Sequence, residues 1–163
     1  MMRLPWHPLP PMPDANTLRP ALVLLASEGR AISADAVRTA ANLAKPGGGA
    51  VKVLTIARIW GSALGLPHPG LRPNKQEWQA QREIVEAALA GLSKRGIAAT
   101  GEVLGSRNAA GAILRHAAAA KADAIVMAAD TAPHWLQRGL LWSHLPHVVA
   151  RKSKLPVYLV GPA

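Results

Sequence analysis

The 163-residue chain contains no cysteine, no phenylalanine and a single tyrosine, Tyr158. The absence of cysteine excludes disulfide scaffolds, thiolate zinc sites, iron–sulfur clusters and cysteine nucleophiles. Because aromatic residues make up only 4% of the chain, the large core side chains must be leucine, isoleucine and valine, with a few tryptophans. Alanine accounts for 32 residues, so the 50% hydrophobic fraction overstates the bulk available to the core.

Long apolar runs and a secretory signal are also absent. The longest stretch without a charge, residues 59–71, is interrupted by glycines and by two prolines and is too short to span a bilayer. The first 13 residues carry five prolines and no apolar segment of the kind found in signal peptides. A single cytoplasmic domain is therefore expected.

Acidic residues are scarce, with nine Asp and Glu against 19 Lys and Arg, which gives a formal charge of +10. After Asp130 there is no acidic residue, while Arg138, Arg151, Lys152 and Lys154 remain. Such an excess favours contact with anions, including nucleotides, nucleic acid or an anionic membrane. Nucleic acid and membrane are not the favoured partners. Base stacking needs aromatic residues interleaved with the cations, and aromatic residues are scarce in this chain.

The order of elements predicts the fold class. Residues 1–20 hold six of the 14 prolines and are expected to form an extended arm, followed by one domain over residues 21–163. Strands are predicted over Ala21–Ala26, Ala50–Ile59, Ile97–Leu104, Asp123–Ala128 and Leu155–Val160. Because helical segments alternate with these strands, we expect an α/β three-layer sandwich around a five-stranded parallel sheet.

Local signals support this order. Ser33 and Asn108 are candidate N-caps of the first and third helices. The polar residues of Ile97–Leu104 indicate a strand near the sheet edge. The glycines after Pro46 are set aside as a phosphate loop, because they lead from a helix into a strand and phosphate loops run the other way.

Four segments in this order carry a resemblance to a known family. They are the strand Ala21–Ala26, the segments Ala112–Leu114 and Ala122–Met127, and the basic helix end with its strand, Arg151–Val160. With these segments the chain resembles the universal stress protein family from Ala21 to Val160. The resemblance implies a Rossmann-like or flavodoxin-like domain, similar to the adenine nucleotide alpha hydrolases, that acts in stress resistance and dimerises, often through its last strands.

Some members of that family bind ATP, and the resemblance implies where this chain departs from them. In the nucleotide-binding members, glycines follow the fourth strand and a Gly-Ser or Gly-Thr pair comes later in the same segment. Ala128, Thr131 and Trp142–Ser143 stand at these places here, so the ATP-binding motif is degenerate. A positive φ forced on a residue with a β-carbon costs roughly 1 kcal/mol, and an indole beside the phosphates would block them.

The fold still implies a ligand crevice, since open parallel sheets bind ligands at the carboxyl ends of the strands where the strand order reverses. Its predicted floor consists of Ala26, Ser27, Val53, Met127 and Ala128. The segment Pro133–Ser143 would form its roof, with Arg138 and Ser143 as the residues that would hold a phosphorylated ligand. These are the candidate nucleotide-binding residues.

Catalytic and metal-binding patterns are not visible in the sequence. There is no Gly-x-Ser-x-Gly elbow, and the acidic residues form no evident acid–base pair. His144 and His147 have helical spacing for a metal, but no carboxylate or thiolate completes the shell. His116 is expected to be an exposed helix residue rather than a base. We therefore expect no metal and no enzyme, with weak ATPase activity left open.

Three functional hypotheses follow. The first is a non-enzymatic stress-response protein with a degenerate nucleotide pocket and no cofactor, which dimerises through the strand Pro156–Val160 and contacts protein partners through Trp135–Trp142. The second is a switch that binds ATP or another nucleotide through a rebuilt phosphate loop. The third and weakest is an adaptor on an anionic surface of nucleic acid or acidic lipid.

Overall fold

The computed structural model describes residues 19–58, 75–129 and 145–161. Its five strands are β1 (Leu22–Ser27), β2 (Ala50–Arg58), β3 (Ala99–Ser106), β4 (Ala124–Ala128) and β5 (Val157–Val160). Its four helices are α1 (Ala34–Ala44), α2 (Lys75–Ser93), α3 (Ala109–Ala119) and α4 (Leu145–Lys152). The predicted arm falls almost entirely outside the described residues, so its boundary stays a prediction.

The strands form one parallel sheet in the order β3-β2-β1-β4-β5. This confirms the predicted α/β class, and of the two expected arrangements it is the Rossmann-like order. The chain first moves outward from β1 to β3 and then returns across β1 to β4, so the strand order reverses between β1 and β4. The edge position of β3 is confirmed, and β5 occupies the other edge.

Helices cover both faces of the sheet and give the sandwich three layers. On one face, Val23 and Leu25 of β1 pack with the apolar sides of α1 and α2. On the other face, Leu24 and Ala26 pack with α3 and α4. Each fully buried large apolar side chain contributes about 1.5–3 kcal/mol, so the alternating residues of β1 hold the two helical layers to one sheet.

The first and third helices begin where the sequence predicts. Ser33 Oγ accepts a hydrogen bond from the Ala36 N–H at 3.1 Å, and Asn108 Oδ1 accepts one from the Gly111 N–H at 3.0 Å. Each side chain pairs an amide that the helix itself leaves without a partner, which contributes about 1 kcal/mol per cap.

The last strand is shorter than predicted, because it begins at Val157 rather than Leu155. The predicted start of the last helix, Ser143, lies outside the described residues, which contain this helix from Leu145 onward. Ser153 explains the shorter strand, because its Oγ donates to the Leu155 carbonyl and accepts from the Leu155 N–H, both at 3.0 Å. These bonds fold residues 153–155 into a turn before β5 begins.

No helix within the three described ranges is long and apolar enough to cross a membrane.

The close approach of α2 to β3 generates a test of packing. A β-carbon built on Gly101 would overlap Cγ1 of Val85, a buried residue of α2 with a stiff branched side chain. We expect Gly101→Ala to lower the free energy of unfolding by about 1–3 kcal/mol through overpacking. Urea denaturation of the single variants and of the double variant with Val85→Ala measures the coupling between the two sites. An equal cost of Gly101→Ala in both backgrounds would refute the proposed contact.

Candidate functional site

A cleft opens at the carboxyl ends of β1 and β4, where the strand order reverses. It encloses about 170 Å³. Its described walls come from the end of β1 and the following loop, the end of β4, the first turn of α4 and the last residue of β5. This is the place where open parallel sheets bind ligands, because the connecting loops diverge there and leave a crevice.

The loop after β1 is fixed by its own hydrogen bonds. Ser27 Oγ donates to the Arg30 carbonyl at 2.7 Å, and Gly29 adopts a left-handed conformation with φ of 69° that suits a residue without a β-carbon. Below the loop, Gln81 Nε2 of α2 donates to the Gly29 carbonyl at 3.4 Å. The proton of Ser27 is therefore committed within the loop, and its oxygen can still accept a hydrogen bond from a ligand.

The structure brings four of the predicted floor residues together. Ala26, Ser27, Met127 and Ala128 all line the cleft. Val53 does not line it: this residue is fully buried in the core between the sheet and helices α1 and α2. Whether the four lining residues bind a nucleotide stays a prediction.

The predicted roof falls outside the described residues. This applies to Arg138 and Ser143 as candidate ligand-binding residues, and to Trp135–Trp142 as a candidate partner contact. These assignments stay predictions.

Ala128 differs from the sequence-based expectation in one physical respect. Lys121 is the one non-glycine residue with a positive φ in the described part of the chain, so Ala128 has an ordinary strand conformation. Its side chain is exposed at the end of β4. The substitution of alanine for glycine therefore introduces a methyl group into the cleft without introducing backbone strain.

Charge in the described walls is mixed. Glu28 and Arg30 both line the cleft and bring one carboxylate and one guanidinium to it. The first turn of α4 lies there as well, through Leu145 and Pro146, and the positive end of its macrodipole favours an anionic group. Pro146 contributes no N–H, so the hydrogen-bonding capacity of this helix end is reduced.

The opposing α1 helix already has its positive end neutralised. Ser33 caps its backbone, and Asp35 lies in the first turn, where it forms an ion pair with Arg38 at 2.7 Å. Of the two helix starts at the cleft, α4 is therefore the one more suited to an incoming anion.

Sequence reasoning missed several lining residues. Glu28, Arg30 and Ser33 belong to the loop between β1 and α1, whereas Pro146 and Val160 come from elements far along the chain. The loop residues follow directly from the predicted strand end, so their position in sequence was an available signal. Pro146 and Val160 had no local signal, because only the crossover and the pairing of β5 with β4 bring them to the cleft.

Together, the sheet order and the position of the cleft define a Rossmann-like α/β protein with a ligand crevice at its topological switch point. The sequence matches the model of the Universal stress protein family over residues 22–161. Because this match covers most of the chain, the chain belongs to the universal stress protein family. Among curated protein sequences no match was found.

Solved structures of the same family share the fold. A protein of the universal stress protein family from Burkholderia pseudomallei is 20% identical, with a TM-score of 0.64 over 88% of this chain and 96% of that one. A universal stress protein in complex with cAMP gives 20% identity and a TM-score of 0.64, covering 89% and 99%. The universal stress protein from Archaeoglobus fulgidus in complex with dAMP gives 19% and 0.62, covering 85% and 95%. At this identity the likeness concerns the fold.

A polar cluster outside the cleft corrects the interpretation of His116. Its side chain is only 14% exposed, and its Nε2 lies 3.6 Å from Glu102 Oε2, which also pairs with Lys52 Nζ at 3.3 Å. His116 Nε2 has no hydrogen-bond partner. Burial lowers the pKa of His116 below its ordinary value of 6.5, Lys52 lowers this pKa further, and Glu102 partly opposes both. Over the described residues, no group of three or more potential metal ligands is found.

The lowered pKa of His116 predicts a loss of stability in acid. The unfolded chain binds the proton more tightly, so stability is complete above the unfolded pKa and falls as the pH drops from there towards the folded value. We expect His116→Gln to lose less unfolding free energy than the wild type between about pH 7.5 and about pH 5.5 in urea titrations. His147→Gln, at an exposed position, is the control. A pH dependence in His116→Gln as steep as that of the wild type would contradict the assignment.

Proposed function

We propose that this protein is a non-enzymatic regulatory member of its family in the stress response, and that its cleft takes a nucleoside monophosphate rather than ATP. The observation that carries the proposal is the cleft itself, which lies at the switch point between Ser27 and Ala128. This proposal joins the first two hypotheses: the triphosphate motif is degenerate, and the crevice for a smaller nucleotide is retained.

The chemistry of the described walls supports a small nucleotide. Alanines at positions 26, 128 and 129 leave room for a base or a ribose, and the carboxylate of Glu28 opposes a highly charged polyphosphate. The two nucleotide complexes reported above carry cAMP and dAMP, which are both monophosphates.

The same walls support binding rather than catalysis. Among the described lining residues, the ionisable side chains are Glu28 and Arg30. An arginine is always charged and cannot accept a proton, so these two residues do not form an acid–base pair. A regulatory protein of this kind would change its contact with a protein partner when a nucleotide binds in its cleft. The predicted partner contact, Trp135–Trp142, is in keeping with that role.

Calorimetric titration of the full chain with AMP and with ATP plus magnesium tests the ligand. We expect AMP to bind more tightly than ATP, because the described walls of the cleft contain no glycine that would bring a backbone amide to the outer phosphates. Ala128→Leu should abolish AMP binding by filling the cleft. Ala118→Leu, an equally exposed alanine on α3, should leave AMP binding unchanged.

Two outcomes would contradict this proposal. Tighter binding of ATP than of AMP would restore the nucleotide-switch hypothesis. If neither ligand binds, the cleft is not a nucleotide site, and the hypothesis of a protein that acts only through partners remains.

We also propose that the protein forms a homodimer through β5. This strand is at the sheet edge, and its four residues are all half-buried. An apolar strand with one open edge offers unpaired N–H and C=O groups to a second copy of itself. This pairing remains the expected interface of the predicted homodimer through Pro156–Val160.

The alternation of backbone groups in β5 decides which residue tests the dimer. The Pro156 carbonyl accepts from the N–H of Ile125 in β4 at 3.0 Å, and the Val160 carbonyl accepts from the N–H of Ala129, directly after β4, at 2.9 Å. Since the N–H and C=O of one residue point to the same side of a strand and alternate along it, Tyr158 also faces β4. Val157 and Leu159 therefore direct their backbone groups to the open edge.

Leu159→Pro is expected to give a monomer, because it removes an edge amide without breaking the ladder to β4. Leu159→Ala is the matched control, since it shortens the same side chain but keeps the amide, and it should remain a dimer. Light scattering after size-exclusion chromatography measures the mass, and circular dichroism confirms folding. A folded Leu159→Pro dimer would place the interface elsewhere.

A further inference from the structure

All four helices end near the N-terminal ends of the strands, at one end of the sheet. Backbone hydrogen bonds hold the strand starts together, from Ala50 N–H to the Ala21 carbonyl at 2.9 Å and from Asp123 N–H to the Leu22 carbonyl at 2.8 Å. Each helix runs antiparallel to the strands it connects, so this end of the sheet, which we call the basic end, lies opposite the cleft. Side chains far apart in sequence thus share one surface.

The first helix pair brings four cations to the basic end. Lys45 directly follows α1, and Arg19 lies beside it, with its Cβ 3.3 Å from the position of a β-carbon on Gly47. Lys94 and Arg95 directly follow α2. All four side chains are exposed.

The second helix pair brings four more. Lys121 follows α3, Arg151 and Lys152 form the last turn of α4, and Lys154 precedes β5. These four side chains are also exposed. Within the described residues, none of the eight cations of the basic end takes part in an ion pair.

Asp123 is the one carboxylate that the described residues place at this end, and it is already engaged. Its Oδ2 accepts hydrogen bonds from the Ala21 and Leu22 N–H groups, at 2.8 and 3.1 Å. Three other carboxylates, those of Glu28, Asp35 and Glu77, lie at the opposite end of the sheet or at helix starts. Charge is therefore separated along the direction of the strands.

The helix macrodipole accounts for part of this arrangement. Each helix C-terminus carries about −0.5 of a charge, so four of them offset about two of the cations. Among the described residues, eight cations and one carboxylate leave a net +7 at this end, more than three times what the dipoles require. The surplus is available to an external polyanion.

We propose that the basic end binds the phosphate backbone of double-stranded nucleic acid without sequence preference. The exposed uncharged residues beside these cations are small, and include alanines, glycines, Pro46 and Ser93, whereas Ile97 is buried and Leu155 half-buried. Described residues of this end thus provide no large exposed side chain to insert into a lipid surface or stack on an unpaired base. Contact with phosphates alone remains, and this favours a duplex.

The dimensions of the two surfaces agree. Five strands about 4.8 Å apart span about 19 Å. A duplex carries one charge per about 1.7 Å of its axis with both strands counted, so roughly eleven phosphate charges lie along that length and only those on the near side can contact the protein. Four to eight contacts would give a slope of log K against log salt between about −3.6 and about −7.2.

Two variants of the full chain with equal changes in charge test the proposal. The basic-end variant replaces Lys94, Lys121, Lys152 and Lys154 by glutamine. The control variant replaces four exposed cations outside that end by glutamine, namely Lys75, Arg82, Arg107 and Arg115. Circular dichroism confirms that both are folded.

Fluorescence anisotropy with a labelled duplex of mixed sequence measures affinity across a salt series. We expect the wild type to bind with the slope given above, the basic-end variant to lose at least about tenfold in affinity at low salt, and the control to lose less than about threefold. No duplex binding by the wild type, or equal losses in the two variants, would overturn the proposal. So would sedimentation with phosphatidylserine vesicles in the absence of duplex binding, since it would assign the surface to lipid.

Discussion

Burial of β1 on both faces is the constraint on which the rest of the structure depends. Val23, Leu24 and Leu25 are completely inaccessible to solvent, and their side chains alternate between two helical layers. A strand covered on both sides must lie inside the sheet, with neighbours at each edge. Its position as the third of five strands requires that the chain leave in one direction and return in the other.

The parallel strands give the molecule two different ends, and the reversal of strand order decides where the cleft lies at one of them. When parallel strands are joined by helices, the carboxyl ends of all strands and the loops that follow them lie at one end of the sheet. The cleft forms there, between Ser27 and Ala128, while the helix C-termini with their lysines and arginines collect at the opposite end. Ligand site and charged surface are therefore two consequences of the same topology, separated by the length of the strands.

Within the cleft, small side chains and local conformation decide more than any single motif. Ala128 stands where the family resemblance implies a glycine, but its backbone is that of an ordinary strand, so the difference is one of volume. Ser27 uses its proton to hold the loop and keeps its lone pairs available. Val53 does not contribute to the cleft, because its position in β2 turns its side chain into the core.

The sequence alone determined the α/β class, the edge position of β3 and the caps at Ser33 and Asn108, because these depend on hydrophobic pattern and on hydrogen bonds within a few residues. It also placed Ala26, Ser27, Met127 and Ala128 at strand ends, and hence at the cleft. Only the tertiary structure decided that Val53 is core, that His116 is half-buried beside Glu102, and that Pro146 and Val160 join the cleft. Each of these depends on contacts between segments distant in the chain, whose side-chain directions follow from strand register and helix packing rather than from local sequence.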